Sequence, residues 1–206
     1  CGGWRRGPAL PALERPGPLP TGVHKLVLPQ FQQQSIMIAY PSVAYGGPHD
    51  ETIEALAAIV GGVNSRCYWD VVQKGICTQA GLAWLSYADC GLLVFYADGE
   101  PERCEAMYAA LREQIGRLVR AGVTAEEVQR VKNRQRTRLA LEAENPRTRI
   151  MQIVDDLESG GYVRSAAARL AAVEAVTPRR IAEYLAEHPI GGEGLVLSVG
   201  PRDWGG

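Results

Sequence analysis

From Pro101 to Pro189 the apolar residues recur at helical spacing, while strand pattern stands on both sides of that run. The last strand, Leu195 to Val199, must therefore return to a sheet begun far upstream. The upstream half supplies its neighbours. His24 to Leu28 and Gln33 to Tyr40 read as strands, the second with Ile36, Ile38 and Tyr40 on one face and Ser35, Met37 and Ala39 on the other. Ile76 to Tyr87 and Gly91 to Ala97 form two more, separated by a link short enough for a hairpin.

Helix punctuation fills the rest. Asp50 is placed to cap a helix whose Ile53, Leu56, Ala57 and Val60 share a face, with Gly61-Gly62 as its stop. A short helix spans about Arg66 to Gln73, started by Ser65. Pro101 opens a helix to about Arg120 with the stripe Met107, Leu111, Ile115, Leu118 and Val119, stopped by Gly122. Thr124 and Glu127 make a capping box for a helix reaching about Glu144. Pro146, Gly160-Gly161 and Thr177-Pro178 bound three further helices, over about 148 to 159, 165 to 171, and from Thr177 to Pro189.

Two strands per helix at the start is wrong for a doubly wound parallel sheet. The order predicts an α+β fold: a mixed or antiparallel sheet with helices packed on one side. Residues 1–21, with Pro8, Pro11, Pro16, Pro18 and Pro20, read as a linker or N-terminal extension, and residues 22–206 as one domain. Starting on Cys1 rather than Met, the chain reads as cut from a longer one or processed.

Twenty-two basic and 23 acidic residues leave a net charge of −1, so no field recruits nucleic acid. No apolar run approaches the roughly 20 residues of a membrane span, so no membrane insertion is expected. The five cysteines show no metal or disulfide spacing, and four of them, set in apolar stretches, read as small buried hydrophobes. His24, His49 and His188 lie far apart, so the usual two-histidine zinc face is missing and no metal is expected in this chain. Gly62 to Arg66 departs from the nucleophile-elbow pattern at its last position, and Gly191 to Gly194 precedes a strand, where a phosphate loop must follow one. The basic run Arg130, Lys132, Arg134, Arg136 and Arg138 reads as solvated flanks beside Val128, Val131 and Leu139, or as a wall facing a peptide or partner domain.

Gly61-Gly62-Val63-Asn64-Ser65-Arg66, then Val71 to Ile76, then Tyr87-Ala88-Asp89-Cys90-Gly91 together resemble the second-domain signature of the insulinase and pitrilysin zinc peptidases, the family of mitochondrial processing peptidase. Gly3-Trp4 before the linker, Gln32-Gln33 entering a strand, Gly122-Val123-Thr124 and Val176-Thr177 agree in order over nearly the whole chain. The resemblance implies a domain that follows a homologous one, closes a chamber, and leaves zinc to the H-x-x-E-H motif of that partner. Active relatives reach the substrate here with an arginine and a tyrosine. In this sequence Val72 takes the arginine's place and Thr78 the tyrosine's.

What the resemblance leaves for peptide contact is Arg66, Lys74 and Thr78, of which Arg66 and Lys74 can also persist for ion pairing. No residue is expected to be catalytic. The expected function is a non-catalytic domain of a zinc metallopeptidase. The alternative is an inactive relative serving assembly, as the core subunits of respiratory bc complexes do. Expected partners are the zinc-bearing homologue, a peptide substrate, and a second copy drawn by uncovered apolar surface.

Overall fold

The structure, a computed structural model, describes Gly3, Gly7 and residues 17–205; most of the expected linker lies outside the described residues. Five strands, β1 (Gly22–Val27), β2 (Gln34–Ser42), β3 (Gln79–Ser86), β4 (Gly91–Gly99) and β5 (Leu195–Gly200), form one sheet in the order β1-β5-β2-β4-β3. Only the β1–β5 pair is parallel; the other three are antiparallel. The sheet is mixed, as the order of elements predicts.

Six α-helices are found among the described residues: α1 (Asp50–Gly61), α2 (Cys104–Ala121), α3 (Ala125–Ala143), α4 (Pro146–Gly160), α5 (Ala166–Glu174) and α6 (Pro178–Glu187); α1 and α2 pack on the sheet, α3, α5 and α6 on α1, and α4 on α3. Strand alternation sends Ile36 and Ile38 to the helical side, where Leu93 and Phe95 of β4 join them. Ile53, Leu56 and Ile59 of α1 and Met107, Leu111 and Ile115 of α2 close over these side chains, and all are buried. A Cβ on Gly61 would overlap the Leu82 backbone, so this glycine sets how closely α1 lies on β3.

The capping signals hold, with three local corrections. Thr124 accepts from the Glu127 amide while the Glu127 carboxylate accepts from the Thr124 amide, completing the box. Asp50, expected as a helix cap, instead accepts from the amides of Gly46 and Gly47, while His49 is the cap residue. The carboxylate thus braces the incoming glycine turn. Val119 lies outside the α2 stripe and is exposed, because it is one position past Leu118 and rotates off the buried face. The short helix after Ser65 widens into a π-helical turn over Tyr68–Val72, whose start is tied by the Tyr68 amide to Ser65 Oγ. Cys67, Cys77 and Cys104 are buried and Cys90 half-buried, whereas Cys1 lies outside the described residues.

Candidate functional site

The helix-free face of the sheet is apolar and open. Met37 of β2 sits opposite Leu197 of β5 on one side and Tyr96 of β4 on the other, and Leu26 of β1 lies beside Val199. Leu26, on the edge strand, is 55% exposed; Met37 at 39% and Leu197 at 36% are high values for large side chains on central strands. Tyr96 pairs in register with Gly81 of β3, and its ring occupies the space a side chain there would need. An extended apolar wall results, edged by β1 and β3.

One corner of this wall carries the stretch that the resemblance singled out. Thr78 donates its hydroxyl to the Asp98 carbonyl at 2.8 Å, and its amide bonds the same oxygen at 2.9 Å. The Asp98 carboxylate in turn accepts a short hydrogen bond from Ser35 across the β2–β4 pair. Val72 packs half-buried against the core. Lys74 is exposed and lies 3.8 Å from Asp70, which also takes the stronger 2.9 Å pair with Arg117. Arg66 is buried, and its guanidinium makes a two-pronged pair with Glu127 and a third bond to the Gly122 carbonyl. Thr78 is exposed just ahead of β3, on the alternation of Ala80 and Leu82 rather than that of Gly81, whereas Arg66 is committed to the interior. Burial by itself would raise Glu127; the Arg66 and Thr124 hydrogen bonds outweigh it and bring the carboxyl down to about 2.

Three features escaped the sequence. Trp69, on the π-helical turn, is more than half exposed and stands edge-on to Tyr68 at 5.0 Å, a large aromatic available for contact. His49 and His188, 139 positions apart, come to 6.3 Å between ring centroids, both against buried Tyr184. Tyr184 shares a 2.8 Å hydrogen bond with Ser42, and burial pushes its hydroxyl pKa up. His49 also lies 3.4 Å from Glu187. These groups do not fit zinc: among the described residues no three histidines, cysteines or acids are placed to hold a metal. The histidine pair had no local spacing to reveal it, because α6 brings His188 to the start of α1.

The third is a cleft of about 370 Å³ between α1, α3 and β3, lined by Tyr45, Glu54, Trp84, Arg134, Gln135 and Arg138 together with the apolar Ala57, Ala58 and Val131. Crowding by the cleft walls raises the Glu54 pKa against the pull of Arg138. The basic run on α3 splits accordingly. Arg136 pairs with Glu174, Lys132 donates to the Glu174 carbonyl, Arg134 to the Val63 carbonyl, and Arg138 pairs with Glu142. Arg130, Arg134, Arg136 and Arg138 are exposed, as solvated flanks are, while Lys132, Arg134 and Arg136 also tie α3 to neighbouring segments. The cleft offers an acid and guanidinium donors, suited to holding polar groups rather than to nucleophilic attack.

Among the described residues no helix is long and apolar enough to cross a membrane. No curated protein matches the sequence. The fold is similar to the crystal structure of a peptidase M16 inactive domain from Pseudomonas fluorescens, with a TM-score of 0.79, 16% identity, and coverage of 96% of this chain and 47% of that one. Complex III2 from Candida albicans contains a similar chain, with a TM-score of 0.74, 18% identity, and coverage of 88% here and 46% there. A protease from Helicobacter pylori matches with a TM-score of 0.76, 14% identity, and coverage of 86% and 43%. The chain thus spans less than half the length of each of these. The sequence profile described as the peptidase M16 inactive domain matches residues 1–135, and the chain belongs to that family.

Proposed function

We propose that this chain is the non-catalytic, chamber-closing domain of an M16-type zinc metallopeptidase, with the zinc held by a homologous domain that precedes it or is supplied as a separate subunit. The observation that carries this reading is the open apolar face around Met37 and Leu197. A sheet that buries one face on its own helices and leaves the other bare is suited to forming one wall of an enclosed space. A peptide in that space would meet a surface that binds through shape and apolar contact. Val72 offers no hydrogen-bond donor, and the Thr78 hydroxyl is already spent on a backbone carbonyl. Positioning groups for a scissile bond therefore fall to the other domain.

The direct test mixes this chain with the H-x-x-E-H domain of its parent or of a neighbouring gene and follows both association and cleavage of a mixed peptide library. Association with at least a roughly tenfold gain in cleavage over the zinc domain alone is expected, since enclosing and orienting a substrate is worth that or more. Failure to associate would sink the reading. Association without any cleavage would favour the second reading, an assembly module, which draws its support from the similarity to a chain of complex III2.

A further inference from the structure

Helix α4 is packed inside out. Its polar residues Arg149, Gln152 and Asp156 point inward, where Asp156 is almost wholly buried and accepts from both Arg164 and Arg169. Ile150, Val154 and Leu157, at i, i+4 and i+7, form an apolar stripe facing outward at 60%, 47% and 50% exposure, with Met151 beside it. Surface helices ordinarily do the reverse. The same outward face begins with Arg147 and ends with Glu158. A cation in the first turn and an acid in the last both oppose the helix dipole. Apolar exposure and charge order are thus each unfavourable for α4 alone.

One neighbour relieves both: an antiparallel helix with the same face. We propose that α4 is a self-association surface, on which a second copy of this chain docks its own α4 across a two-fold axis. An axis passing between Gln152 and Ile153 sets Arg147 opposite the second copy's Glu158, and Met151 opposite its Val154. Both pairings occur twice, as two-fold symmetry demands. Within one copy Arg147 and Glu158 cannot pair, because eleven helical residues separate them by about 16 Å. Specific stable interfaces bury roughly 800 Å² per partner, more than one four-turn stripe supplies, so the association is weak and concentration-dependent. The surface is separate from the open sheet face and does not rest on the chamber reading.

Sedimentation velocity of the chain over a roughly hundredfold concentration range is the test, with expected effects of at least about tenfold in the dimer constant. Val154→Glu, at an exposed position, is expected to leave the circular dichroism unchanged and abolish the dimer. Arg147→Glu and Glu158→Arg are each expected to weaken it. Mixing those two single variants is expected to restore a dimer, because both cross-axis contacts again pair opposite charges; the double variant is expected to recover for the same reason. A chain that stays monomeric, or a dimer that survives Val154→Glu, overturns the proposal. Loss of the dimer with Leu197→Glu but not with Val154→Glu also overturns it and assigns self-contact to the sheet face.

Discussion

Arg66 Nε and Nη2 each lie 2.7 Å from a carboxylate oxygen of Glu127, 61 positions away, in a pair whose side chains are 5% and 12% exposed. Glu127 also completes the capping box of α3, so one carboxylate fastens that helix start to the turn after α1. Glu127→Ala is expected to cost about 3 kcal/mol at pH 7, because Arg66 is left charged and buried. The ionised form is favoured by folding, with the pKa falling from 4.5 to about 2. Its contribution is therefore full above pH 4.5 and disappears as pH drops toward 2. Urea titrations of both proteins at several pH values should show the gap shrinking over that window.

Asp156 is the corresponding clip for α4 and α5. Burial would raise its pKa, but hydrogen bonds from Arg164 and the charge of Arg169 hold it below the usual carboxylate range. Asp156→Ala takes the carboxylate partner from Arg169 and leaves Arg164 with Glu51 alone, and is expected to destabilise the chain by about 3 kcal/mol. Hydrogen exchange should speed up selectively over residues 146–174, leaving the protection of β2 and β4 in place. Uniform loss of protection would mean that these helices are not a separable layer.

Gly61→Ala tests the close seating of α1. Helix propensity alone would favour alanine by about 1 kcal/mol. The new methyl would instead meet the Leu82 backbone, so a net loss of about 1–3 kcal/mol is expected. A thermal melt decides the sign.

The thiols should report unfolding in sequence. Burial pushes Cys67 up to about 12, and the side chain is fully enclosed. Iodoacetamide pulses followed by mass spectrometry should label half-buried Cys90 first, with Cys67 labelled only through the main unfolding transition.

Much of this architecture was legible beforehand because its signals are local. Thr124 with Glu127, Pro146, Gly161 and Thr177 mark helix ends by chemistry that acts within one turn, and each lies where that chemistry puts it. The alternation in β2 likewise separates Ile36, Ile38 and Tyr40, which enter the core, from Met37 on the opposite face. What stayed hidden depends on distant segments meeting. Nothing near Arg66 announces Glu127, nothing near His49 announces His188, and the bounds of α4 do not announce which of its sides faces in, as the burial of Asp156 does. The substitution of Val72 and Thr78 for donor side chains was visible, but the capture of the Thr78 hydroxyl by Asp98 was not.

The parallel pairing of Gly22–Val27 with Leu195–Gly200 sets an order of events during vectorial synthesis. β5 lies between β1 and β2, yet it leaves the ribosome after every helix. Until then β1 has no ladder to join, and β2 can pair only with β4. The nascent chain must therefore carry an incomplete three-stranded sheet with a bare β2 edge while residues 100–194 are made, and the arrival of six residues closes that gap and recruits the first strand in one step.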